Sequence, residues 1–115
     1  MSDLVVYGSA TDPAEGASVA STGTLPAGRY RVTVTTVTTG TVAAGDLNNV
    51  QLQVGSTVVG TLLQVATAGS NFTNSPIEVN VPVGGAAISV TAVADASGDS
   101  AVYNAQIVVH TEAVF

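Results

Sequence analysis

Alternation with a period of two runs through most of this chain, and it restricts the fold more than any other feature. Tyr30, Val32 and Val34 point one way while Arg29, Arg31, Thr33 and Thr35 point the other. Val50, Leu52 and Val54 alternate with Gln51 and Gln53; Ile77, Val79, Val81 and Val83 alternate with Glu78, Asn80 and Pro82. The pattern recurs over 88–93 and again over 103–110, where Asn104, Gln106, Val108 and His110 form the second face. These runs are rich in β-branched residues, which suit a pleated, half-buried surface. No run carries a persuasive helical period. Between them stand turn signals: Pro26-Ala27-Gly28, Gly45-Asp46, Gly55-Ser56, Gly84-Gly85 and Ser97-Gly98-Asp99. The spacing predicts an all-β antiparallel sandwich or barrel of about eight strands, with short ones near 3–8 and 17–23 and one or two across 57–67. At Thr35-Thr36-Val37 the alternation slips, and a bulge or a change of sheet is expected there. Pro82 cannot donate to a ladder, so its strand is expected at an edge.

One domain accounts for 115 residues. The first 24 are small, polar and weakly patterned. They are expected to form an N-terminal arm with one or two short strands, ahead of a sandwich domain over 25–115. No signal peptide is read at the start, and no stretch approaches the length of an apolar membrane span.

Charge narrows the partners. Only 9% of residues are charged, against roughly 25% in ordinary soluble domains. There is no lysine, and the formal net charge is −6. Nucleic acid and anionic membranes are therefore not expected as partners, since both need many cationic side chains. Cysteine is absent, which removes disulfides, thiolate metal sites and thiol nucleophiles together.

Few residues suggest chemistry, and no enzyme or cofactor is expected. His110 is the only histidine, on the polar side of the last strand, where a plain surface role is the expectation. Catalysis would require it to stand beside a nucleophile in a cleft. The loops Asp46-Leu47-Asn48-Asn49 and Asp95-Ala96-Ser97-Gly98-Asp99 offer oxygens to calcium, but neither has a calcium-loop spacing. Asx residues also favour turns for their own backbone bonds. Asn71-Phe72-Thr73 matches a glycosylation acceptor only by chance. Of the five aromatics, Tyr7, Tyr30, Phe72, Tyr103 and Phe115, two (Tyr30 and Tyr103) fall on the inward side of their strands, which counts against a sugar-binding platform. Arg29 and Arg31 share one face, about 7 Å apart. They either pair with Glu78 or Glu112 on a neighbouring strand or clamp carboxylates of a partner.

An uncharged sandwich leaves its edges unguarded against other strands. Val93, Val102, Val108 and Leu62 add apolar character outside the core. Contact with sister subunits or with a larger assembly would cover such surfaces.

The series Leu25-Pro26-Ala27-Gly28-x-Tyr30-x-Val32, then Gly40-Thr41, then Asp46-x-Asn48-Asn49-x-x-Leu52 resembles a pattern of small jelly-roll-like β-sandwich virion proteins of tailed bacteriophages. The resemblance covers residues 24 to 54. It implies a jelly-roll-like fold and a capsid decoration, or cement, protein on the outer surface of the virion. The implied partners are the major capsid protein and further copies of the chain, as a homotrimer. Arg29, Arg31, Val102, Val108 and Phe115 are the expected interface residues. The alternatives are a virion-exposed carbohydrate- or host-surface-binding module and a head-fibre or tail-associated structural protein.

Overall fold

The computed structural model describes residues 3–11, 16–39, 48–64, 71–73, 76–92 and 102–110. These form nine strands: β1 (Leu4–Thr11), β2 (Ser18–Leu25), β3 (Gly28–Thr39), β4 (Asn48–Val54), β5 (Thr57–Gln64), β6 (Asn71–Thr73), β7 (Ile77–Val81), β8 (Ala86–Ala92) and β9 (Val102–His110). A five-stranded sheet runs β1-β9-β3-β6, with β7 also on β3; a four-stranded sheet runs β2-β8-β4-β5. All pairings are antiparallel.

β7 pairs with Gly28–Val32 and β6 with Thr35–Val37, so the two share one position beside β3. Counted that way, the chain fills eight strand positions. The sheets then run first, eighth, third, sixth and second, seventh, fourth, fifth, which is a jelly-roll sandwich.

The inward set follows the alternation. Val32 and Val34, Val50 and Leu52, Val79 and Val81, Ile88 and Val90, and Tyr103, Ala105, Ile107 and Val109 meet in one core. Each fully buried Val, Leu or Ile contributes roughly 1.5–3 kcal/mol relative to exposure. The anticipated break at Thr35-Thr36-Val37 does not occur. The β3–β9 register runs unshifted from Arg31 to Thr39. Thr36 stays inward and buried, and Val37 stays outward. A threonine is thus accommodated in the core layer while the ladder with β9 stays continuous.

Residues 1–24, expected as an arm, contain β1 and most of β2. β1 pairs with β9 along all eight of its residues. β1 and β2 also pack on each other where the two sheets approach. A Cβ on Gly8 would stand 2.2 Å from the carbonyl oxygen of Val19 and 2.8 Å from the Ala20 Cβ, so only glycine permits this closure.

Two turns set the remaining geometry. Gly55-Ser56 joins β4 to β5 as a two-residue hairpin loop. Between β7 and β8, Gly85 donates its N–H to the Pro82 carbonyl at 3.0 Å. Its φ of +84° and the Leu25 carbonyl 2.7 Å from a Cβ placed there both require glycine. Pro82 lies in that turn, just past the end of β7.

Candidate functional site

The five-stranded sheet turns one side to the core and the other outward. β9 lies between β1 and β3, so its outward side chains have neighbours on both flanks. Register sets these side chains in rows. Tyr7, Gln106, Thr35 and Thr73 form one row across β1, β9, β3 and β6. Ser9, Asn104 and Val37 form the next on one side; Val5, Val108 and Thr33 form the next on the other. Beyond these, His110, Arg31 and Glu78 share a row across β9, β3 and β7.

The first two rows enclose a depression of about 490 Å³. Its walls are Tyr7, Ser9, Thr35, Val37, Asn104 and Gln106, with Gly8 and Ala105 at its floor. Tyr7 is 74% exposed, more open than Tyr30, Tyr103 or His110. Gln106 Nε2 donates to the Tyr7 hydroxyl at 3.3 Å and fixes the tip of the ring. Asn104 Nδ2 donates to the carbonyl of Val37 at 3.2 Å, which sets the amide plane. Thr35 and Thr73 join hydroxyls at 3.2 Å. The result is an apolar ring held beside amides and hydroxyls, with no charged group in its walls. Such a surface suits a ligand with many hydroxyls and apolar C–H faces.

The charged end has a different composition. Arg29 and Arg31 both reach Glu78; Arg29 Nη2 donates to Glu78 Oε2, and Arg31 Nη2 lies 3.8 Å from Oε1. The cross-strand partner open between Glu78 and Glu112 is therefore Glu78 at least. His110 Nδ1 lies 3.1 Å from Asp3 Oδ2, and its Nε2 lies 3.4 Å from the Thr33 hydroxyl.

The order carboxylate, imidazole, hydroxyl is that of an activated nucleophile. The setting is not. Thr33 sits in mid-strand on an open sheet face, and its neighbouring N–H groups lie in the plane of the sheet, directed at adjacent strands. They cannot converge on an oxyanion above that face, which acyl transfer requires.

The sequence-predicted residues divide accordingly. Arg29 and Arg31 stand at the charged end. Val102 and Val108 point outward from β9 and are half-buried by their neighbours. Phe115 lies outside the described residues, as do Val93, Asp46 and the loop from Asp95 to Asp99. Tyr7, Asn104 and Gln106 were not singled out as a site by sequence. The alternation of β9 does mark Asn104 and Gln106 as one polar face. Nothing local in Leu4-Val5-Val6-Tyr7 tells which of its apolar residues face outward.

No known family profile matches this chain, and no protein of curated function matches it. Among solved structures, it is similar to the C-terminal CBM6, a carbohydrate-binding module, of LamC, a marine laminarinase from Zobellia galactanivorans. The likeness covers 95% of this chain and 100% of that one, at 16% identity and a TM-score of 0.55. At that identity it establishes the shared β-sandwich fold.

Proposed function

We propose that this protein is a non-catalytic binding module that takes a glycan on the outer face of its five-stranded sheet. The observation that carries the reading is the open Tyr7 ring, held by Gln106 over an uncharged depression of amides and hydroxyls. A sugar presents C–H groups on its faces and hydroxyls at its rim, so one ring and several amides complement it. The fold shared with a carbohydrate-binding module supports the same direction. Following the virion resemblance of residues 24–54, the module is displayed on the outside of a phage particle, where it meets host-surface polysaccharide.

A second reading, the capsid cement protein, draws on a different surface. Val58 and Val59 on the edge strand β5 are 46% and 39% exposed, and Val83 in the β7–β8 turn is 96% exposed. Uncharged edges and exposed valines suit burial against shell subunits or sister copies. In that role Arg29, Arg31, Val102, Val108 and Phe115 contribute contacts to the major capsid protein or to a homotrimer.

One comparison separates the two. The isolated protein is screened against a polysaccharide panel by affinity electrophoresis, beside Tyr7→Ala. The glycan reading expects retardation by at least one polymer and a loss of about tenfold in affinity for the variant, near 1.4 kcal/mol, with an unchanged melting midpoint. Absence of retardation across the panel, or equal retardation of the variant, would defeat it. Purified heads that retain the protein, and rupture at lower temperature without it, would establish the cement reading instead.

A further inference from the structure

The whole sequence holds three basic side chains, Arg29, Arg31 and His110. All three project from the outer face of the five-stranded sheet, on adjacent strands, and Arg31 and His110 are direct cross-strand partners. Among the described residues the remaining charged side chains are Asp3 and Glu78, and both touch this same cluster. Every described charge therefore lies at one end of the face that holds the depression.

The cluster and the depression lie on one track. Along β9 the outward residues run Asn104, Gln106, Val108, His110; along β3 they run Val37, Thr35, Thr33, Arg31. Four residues of strand separate Gln106 from His110, about 13 Å. Between them lies only the row of Val5, Val108 and Thr33, and Val5 is 43% exposed. An elongated ligand seated on Tyr7 and Gln106, and running with the strands, arrives at the guanidinium and imidazole groups.

From this we infer that the ligand is an acidic polysaccharide, whose carboxylate or sulfate groups are met by Arg31 and His110 while its sugar rings occupy the depression beside Tyr7. The inference rests on the glycan reading above and specifies its ligand class. A guanidinium carries five N–H donors in a planar fork that matches a carboxylate or sulfate, and the Arg31 side chain beside Glu78 is about half exposed. Glu78 and Asp3 contact the Arg31 and His110 side chains, so part of the ordering cost of these flexible groups is met before a ligand arrives. A chain of net charge −6 disfavours polyanions as a whole. Grouping its cations in one place gives the approaching polymer a single orientation.

The test uses alginate and polygalacturonate, each beside its carboxyl-reduced form, which keeps the backbone and removes the charge. Binding is measured for the full chain and for Arg31→Gln at about 20 and 200 mM salt, with melting midpoints as a folding control. At least one acidic polymer is expected to bind about tenfold tighter than its reduced form at low salt, with the advantage shrinking at high salt. Arg31→Gln removes that advantage and leaves the affinity for the reduced form unchanged. Equal or tighter binding of the reduced forms overturns the inference and leaves the glycan reading standing. Equal weakening of both forms by Arg31→Gln overturns it too, since the arginine would then act only on the fold. If neither these polymers nor any neutral glycan is bound, both readings fall together.

Discussion

The two outward faces of the sandwich use similar strands for different ends. The face of the five-stranded sheet carries Tyr7, a depression and, among the described residues, all of the charged side chains. The face of the four-stranded sheet presents Gln51, Gln53, Ala87, Ser89 and Thr91, without a charged group among the described residues. On the first, polar groups bond one another at or near the surface, as in Gln106 with Tyr7 and Thr35 with Thr73. In the second sheet, a hydroxyl repairs the backbone. The β2–β8 register shifts between Ser21 and Thr24, and there the Ile88 N–H donates to Thr22 Oγ1 at 3.1 Å. Thr22 Oγ1 in turn donates to the Gly23 carbonyl at 2.7 Å. Polar side chains of one sheet are thus available for a ligand, while a key one in the other is committed to folding.

That contrast breaks most easily at Thr22. Valine keeps the shape of threonine but cannot accept from Ile88, whose side chain is fully buried in the core. Thr22→Val is expected to destabilise by about 1–3 kcal/mol, the cost of an unsatisfied buried donor. Urea unfolding measures it as a lowered midpoint at constant slope. Glycan affinity should not change below the transition. A variant as stable as the parent would mean that the register shift needs no side-chain repair.

Glu78 tests the opposite face with a smaller expected effect. Its carboxylate meets both arginines, yet its side chain and that of Arg29 are about half exposed. Exposed ion pairs contribute roughly 0–1 kcal/mol and are screened by salt. Glu78→Gln should therefore shift the urea midpoint by less than about 1 kcal/mol in free-energy terms, and less still at high salt. A larger loss that ignores salt would place a stabilising network on the face proposed to take a ligand.

The sandwich was legible because strand alternation is local, and β3, β4, β7, β8 and β9 all show it. That the arginines could pair across strands with Glu78 or Glu112 was legible too, since Arg31 and Glu78 sit on the polar phase of their strands; the choice of Glu78 needed the register of β7 on β3. The depression was not. It rests on Tyr7 beside Gln106, as the charged end rests on Asp3 beside His110, and both contacts depend on β1 returning to β9 from the far end of the chain. β1 itself gave little warning. Its first half is apolar on both faces, and Gly8-Ser9-Ala10-Thr11 has weak strand preference, so pairing rather than propensity extends it to Thr11. At Thr36 the sequence suggested a bulge because a polar residue fell on the inward phase. A continuous ladder with β9 outweighed that single substitution in the core.

The smallest effect is expected at Thr91, and it bears on the quieter face. Thr91 points outward from β8, between Gln51 of β4 and Ser18 of β2, yet it is only 7% exposed. Its hydroxyl is buried with no hydrogen-bond partner among the described residues. A hydroxyl in that state costs desolvation and returns nothing, whereas valine offers the same branching and good strand preference. Thr91→Val should leave stability unchanged or raise it by up to about 1 kcal/mol, read from the same urea midpoint. A loss of more than that would show that the oxygen is bonded by a segment beyond those described. The outer face of the four-stranded sheet would then carry a polar network of its own, and the contrast between the two faces would narrow to the charges and the open tyrosine.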